Sequence, residues 1–397
     1  MPARTRTYFV SIAALIFFAI LAALVARAFA DPAPAKEEMT PLLLSVQDAP
    51  IPFNGSDSST HLVYEILLTN FSSGDVTPEK VEVVGDGEVL QTLEAAEIAT
   101  RLQPVGTREP VASISKSTQA LLFIHIILPE GKHAPRELSH RVTARFAAAP
   151  PEHQVITASG GVIAVDHRAV AVIGPPLHGN GYISADSCCD AVRHTRAALP
   201  IDGHFWIAQR YAVDWEQVNE QGRIYRGPRE KVESYNIFGK EAIAVADATV
   251  VGVTDGAPEG TPGAYPTNIN PKDADGNAVV LDLGQHRYAM YAHLQPGSIK
   301  VHQGDKVRTG QVLALVGNTG NSLVPHLHFQ LMDQPSSLAS NGLPYEIDNF
   351  EVTGKGISTA AFDQAEADGT PMPHNLMNPA LHPKKALPLD QLIINFR

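Results

Sequence analysis

The chain has 397 residues, 44% hydrophobic and 18% charged, with 30 Gly, 30 Pro and a formal net charge of −12. That length suits roughly two domains of about 150 residues each, and the abundant Gly and Pro favour short strands joined by turns over long helices. The acidic balance, with no basic run along the chain, argues against a nucleic-acid partner.

At the N-terminus Arg4 and Arg6 precede an apolar run from Tyr8 to Ala26, and Ala28, Phe29 and Ala30 offer a small-residue cleavage site. Residues 1–30 therefore read as an export signal, which places the mature chain outside the cytoplasm, in the periplasm, the cell envelope or the medium. The run is also long enough to serve as an uncleaved anchor, the one expected contact with a membrane. Residues 31–40 form a Pro/Ala-rich linker.

From Pro41 the pattern alternates between short apolar runs and turn clusters. Residues 61–68, 80–84, 120–128 and 140–146 have strand character, separated by clusters such as Asn54 to Asp57 and Ser72 to Asp75. The run from Gly161 to Gly174 suits a last strand or hairpin, which Pro175 and Pro176 close. Residues 41–173 are thus expected to form an immunoglobulin-like β-sandwich, residues 174–350 a second β-rich domain, and residues 351–397, with five prolines and scattered glycines, an extended tail that either wraps a domain or stays mobile. The sandwich histidines, His61, His125, His133, His140, His153 and His167, are scattered, and surface or satisfied core roles are expected for each. The two cysteines, Cys188 and Cys189, are adjacent. They are expected as partly buried thiols that do not bind metal, a vicinal disulfide being the alternative that an oxidising compartment permits.

The chemistry concentrates downstream. In Pro325-His326-Leu327-His328-Phe329-Gln330-Leu331, strand alternation would put His326, His328 and Gln330 on one face and Leu327, Phe329 and Leu331 in the core. Upstream stand Tyr291-Ala292-His293-Leu294, Gly304-Asp305, Gly310-Gln311 and Gly317-Asn318-Thr319-Gly320, short β runs joined by Gly-centred turns. His286 and His302 lie in polar, turn-like surroundings and are expected in solvent, and Asp247, Asp255 and Asp282 are expected to cap turns.

In order and spacing this set resembles the lysostaphin/LytM family of peptidoglycan endopeptidases, and residues 209–215, Gln-Arg-Tyr-Ala-Val-Asp-Trp, are similar to the segment that supplies the family's metal-binding aspartate. The resemblance implies a LytM-like antiparallel β-sheet peptidase domain at 174–350, with Asp214 and His328 as ligands of one zinc ion and His293 and His326 as a catalytic pair beside it. It also implies peptidoglycan, or another peptide, as substrate. The alternative it carries is a degenerate, non-catalytic module that binds or regulates a cell-wall enzyme.

One position departs from the family pattern: four residues before Asp214, where a histidine usually stands, this chain has Arg210, and a guanidinium cannot ligate zinc. The Asp202-Gly203 turn signal between apolar runs predicts a hairpin in which facing residue numbers sum to 405. His194 then falls opposite Tyr211, diagonally near Asp214. With the similarity of the surrounding segment to this branch of the family, that makes His194 the expected third ligand. His178 and His204 are the rivals, although His204 would sit about 33 Å from Asp214 along an extended strand.

Overall fold

Three neighbouring strands position the chemistry. Leu327–Met332 pairs antiparallel with Val213–Gln217 on one side and with Tyr288–Ala292 on the other. Each alternates as its sequence requires, sending Val213, Trp215, Ala289, Tyr291, Leu327, Phe329 and Leu331 into a single large core. Fully burying one such large side chain contributes roughly 1.5–3 kcal/mol, so the register is held strongly. A slip of one residue would bring the polar face inward. The same sheet continues through Ala278–Asp282, Ala248–Thr254 and Lys306–Val307 beyond Tyr288–Ala292, and through Gly179–Ala185, Leu392–Phe396, Glu351–Gly356 and His374–Leu381 beyond Val213–Gln217.

The computed structural model describes residues 39–396. The expected signal or anchor at 1–30, and most of the linker, lie outside the described residues. Among the described residues no helix is long and apolar enough to cross a membrane, and Pro41–Arg397 forms one compact unit.

Ahead of the large sheet stand two antiparallel sheets. One contains Leu42–Val46, Thr60–Asn70, Gln119–Leu128 and Leu102–Pro104, with Phe53–Asn54 at its margin; the other contains Glu88–Glu94, Val76–Gly85, Glu137–Phe146 and Val155–Ala164. They enclose a separate apolar core that includes Leu62, Tyr64, Ile66, Val81, Leu122, Ile124 and Val142. The strands expected in this region are all present, each longer than its apolar run, the one at 80–84 extending over Val76–Gly85. The segment 161–174 is divided: Val155–Ala164 closes the sandwich, whereas Ala171–Ile173 runs parallel to Tyr345–Asn349 of the second half.

The expectation of an extended tail at 351–397 is corrected. That stretch forms strands and the helix Thr359–Asp368, which begins at the Ser358 hydroxyl cap and ends at Gly369 with φ +65°. Leu392–Phe396 pairs with both Gly179–Ala185 and Glu351–Gly356, and Ile394 and Phe396 join the large core. The prolines that suggested irregularity fall between these elements or on the edge strand His374–Leu381, where a missing N–H is tolerated.

The cysteines are also corrected: both are buried and joined as a vicinal disulfide, the alternative to the expected thiols. By contrast, Asp247, Asp255 and Asp282 accept turn N–H groups from Thr309, Gly256 and Gly284, and the His302 side chain is exposed.

Candidate metal centre

Registration places Asp214 opposite His328, and His328 opposite Ala292 on its other side. His293 follows immediately, its backbone turned into the left-handed region with φ 60°, and its N–H donates to the Asp275 carbonyl. His326 comes one residue ahead of the strand, after the Gly317 to Gly320 turn. A side chain on Gly320, at φ +75°, would collide with the Ala274 carbonyl and with Gly276, so close backbone approach fixes that turn. His194 arrives from elsewhere, on the short helical turn Val192–Thr195.

The five residues singled out from the sequence meet in one place. Asp214 Oδ1 lies 2.8 Å from His328 Nδ1 and 3.4 Å from His326 Nε2, and Asp214 Oδ2 lies 3.3 Å from His194 Nε2. His293 packs beside them, its ring centroid 4.6 Å from that of His326. Ligand atoms of His194, Asp214 and His328 lie within 4.8 Å of one another, as do those of His293, His326 and His328. All five line one open cavity of about 540 Å³.

The other ring nitrogens decide the chemistry. His194 Nδ1–H donates to the Asp186 carbonyl at 2.8 Å, His326 Nδ1–H to the Val324 carbonyl at 2.8 Å, and His293 Nδ1–H to the Thr319 carbonyl at 2.7 Å. His328 Nε2–H donates to Gln330 Oε1 at 2.8 Å. With those protons placed, every neutral ring turns a bare lone pair towards the cavity. Three of these lone pairs face the Asp214 carboxylate, which requires positive charge between them: protons on the rings or a metal ion. A buried set of imidazole and carboxylate donors whose outer nitrogens are already held is what a zinc site needs.

Protonation behaviour follows the same geometry. Burial opposes charge on His194, but the Asp214 carboxylate and then Asp186 raise it to about 9. For His326, burial is likewise outweighed by Asp214. Burial alone would raise Asp214, yet the charges of His194 and His326 hold it well below the usual carboxylate range. His293 is driven well below the usual imidazole range by burial and by its two neighbouring histidines, so it stays neutral.

The expected route of His194 to this site is corrected. The hairpin exists with the expected register, pairing Leu199 with Trp206 and Ile201 with His204, but it is three residues long on each side. His194 lies before it and reaches Asp214 from the helical turn, not across a ladder. His178 is exposed, and His204 accepts from Gln47 Nε2 at 2.9 Å; neither lines the cavity. Arg210 is buried in a bidentate pair with Glu65, at 3.0 and 2.8 Å, anchoring the sandwich where the family pattern has a ligand.

Sequence reasoning missed five carboxylates in the cavity wall, Asp186, Glu216, Asp275, Asp363 and Glu366. Glu216 follows Asp214 by two residues, a same-face signal that was available. Glu366 comes from the C-terminal helix, for which no signal existed. Burial, then the Glu366 charge, raises Glu216 well above the usual range; burial likewise raises Glu366, to about 7.

Residues 236–340 match Peptidase family M23. This segment is an M23 domain of the lysostaphin/LytM type. Peptidases of this family are zinc endopeptidases. The M23 segment contains His293, His326 and His328, while His194 and Asp214 lie upstream of it. The chain is 30% identical over 179 residues to the peptidoglycan DD-endopeptidase ShyA of Vibrio cholerae, covering 41% of this chain and 37% of that protein. It is 42% identical over 69 residues to the glycyl-glycine endopeptidase ALE-1 of Staphylococcus capitis, 17% of this chain and 18% of that one. The chain thus spans well under half the length of these relatives. Among solved structures, the catalytic domain of lysostaphin from Staphylococcus simulans aligns with 21% identity over 42% of this chain and 85% of that domain, at a TM-score of 0.22.

Proposed function

We propose that this protein is an exported zinc endopeptidase that hydrolyses peptide bonds in peptidoglycan, with the sandwich, taken as immunoglobulin-like, as a spacing or targeting domain. The observation that carries the reading is the convergence of bare histidine nitrogens on Asp214, with every opposing nitrogen held by an acceptor. His194, Asp214 and His328 would hold one zinc ion. Bound there, it acts as a Lewis acid and lowers the pKa of a coordinated water towards about 7.

The chain's own residues supply the rest. His326 offers Nε2 as the acceptor for the water's proton, and the Val324 carbonyl keeps its ring oriented. His293, neutral before the reaction and centred 4.6 Å away, keeps its Nδ1–H on the Thr319 carbonyl. Its Nε2 would become a donor to the carbonyl oxygen that gains charge once His326 passes on the proton taken from the water, leaving His326 neutral again. No serine or cysteine nucleophile is required.

The deciding experiment is metal analysis of the purified chain together with digestion of purified sacculi. About one zinc per chain, as in mononuclear catalytic sites, with release of muropeptides supports the proposal. A metal-free protein unchanged by added zinc and inert towards sacculi supports a non-catalytic module, and cleavage of casein without cleavage of sacculi supports a protein peptidase.

A further inference from the structure

A second histidine cluster lies away from the cavity, where the sandwich meets the large sheet. On Thr60–Asn70 the even residues Leu62, Tyr64 and Ile66 enter the sandwich core. The odd residues face the other way: Val63 joins the large core, Glu65 meets Arg210, and His61 stacks on His125 of the neighbouring strand, with ring centroids 5.1 Å apart. Cys189 lies against the pair. His61, His125 and Cys189 are 1%, 8% and 5% exposed, and one ligand atom from each lies within 4.8 Å of the others. Both histidines are buried and hydrogen-bonded, as expected of core residues, but the expectation that they are scattered is corrected, because the fold brings the two rings together.

The outer nitrogens of both rings are committed. His61 Nε2–H donates to Asp57 Oδ1 at 3.0 Å, and His125 Nδ1–H donates to Asp190 Oδ2 at 2.9 Å; Asp190 is itself held by Arg101. A carboxylate only accepts, so in the neutral rings the inner nitrogens, His61 Nδ1 and His125 Nε2, are both bare, and they face each other at 2.8 Å. One positive charge must sit between them, a proton or a metal ion. Carboxylate-oriented imidazoles with a sulfur at hand form the donor set that suits zinc. The space is tightly specified, because a side chain on Gly55 would collide with the His61 ring.

We propose that, in the dithiol form of Cys188 and Cys189, His61 Nδ1, His125 Nε2 and Cys189 Sγ bind one zinc-class divalent cation, separate from the centre at Asp214. Opening the disulfide takes two electrons and two protons. A dithiol supplies both and leaves as its own disulfide; a phosphine with water supplies both and leaves as its oxide. Cation binding then releases the Cys189 thiol proton and the proton between the rings, so the thiolate and two neutral imidazoles become the ligands. The site would brace the sandwich against the peptidase half under reducing conditions and open on oxidation.

The test uses the full chain with Co(II) as probe, since a thiolate ligand gives a near-ultraviolet charge-transfer band that a His and Asp site lacks. Oxidised protein is expected to show no such band. Phosphine-reduced protein and the C188S variant without reductant are expected to show it, with one additional Co(II) per chain. Reduced H328A should keep the band, while reduced H125A and C189S should lose it. Absence of the band and of the additional Co(II) in reduced wild-type protein overturns the proposal, as does a band that persists in both H61A and H125A. If C188S does not fold, the reduced wild-type protein alone decides between these outcomes.

Discussion

Gln330 is 1% exposed and touches the proposed zinc ligand set only through His328, accepting its Nε2–H at 2.8 Å. Gln330→Leu removes that acceptor while keeping the volume. Two consequences separate. Leaving the buried His328 N–H unsatisfied costs about 1–3 kcal/mol, partly offset because Gln330 Nε2 has no partner among the described residues and disappears with the substitution. Zinc affinity should fall further, since losing the group that orients and polarises a ligating imidazole typically costs about 10–100-fold, or roughly 1.4–2.8 kcal/mol. Gln330→Glu, which supplies a charged acceptor, should retain or raise affinity. The assay is a chelator-competition titration of zinc on folded protein at fixed pH, beside thermal denaturation of the metal-free form. Zinc affinity in Gln330→Leu within about twofold of wild type, against the usual outer-partner effect, would refute the assignment of His328 Nδ1 as the ligand nitrogen.

His326→Ala should keep zinc and lose activity, whereas His328→Ala should lose both; equal zinc loss in the two purified variants contradicts the division of roles. His194→Ala should lower zinc content and activity together, while His178→Ala and His204→Ala leave both unchanged; normal zinc in the first variant removes His194 from the set. In metal-free protein the His194 value is raised to about 9, above an ordinary imidazole, so its ionic stabilisation is complete below about pH 6.5 and is lost as pH rises through about 9. Zinc must displace that proton, so affinity should rise about tenfold per pH unit per proton between pH 7 and 9 and level off above; calorimetry in buffers of different ionisation enthalpy that finds no proton release counts against this. Arg210→Ala leaves Glu65 buried without its partner and should cost about 3–5 kcal/mol, while Arg210→Met with Glu65→Leu should cost far less; equal losses in denaturant titration would show that the pair does not act as a unit.

What the sequence determined by itself was whatever depends on spacing within one element. Alternation alone put His326, His328 and Gln330 on one face and Leu327, Phe329 and Leu331 in the core, and the Asp202-Gly203 turn set the hairpin register found between Leu199 and Trp206. The resemblance of the downstream motifs added Asp214 and His293, which local patterning could only have left as a strand carboxylate and a loop histidine. Tertiary structure decided which elements meet. It brought His194 to Asp214 on a helical turn, drew the C-terminal helix with Glu366 to the cavity wall, and made the final strand a member of the large sheet. It also paired Arg210 with Glu65, and His61 with His125 and Cys189. The partners in these contacts are separated by tens to hundreds of residues, and no periodicity links them. Side-chain direction is a local property of backbone geometry, whereas these contacts come from two sheets and a tail burying apolar surface together, which selects partners only once the whole chain has packed.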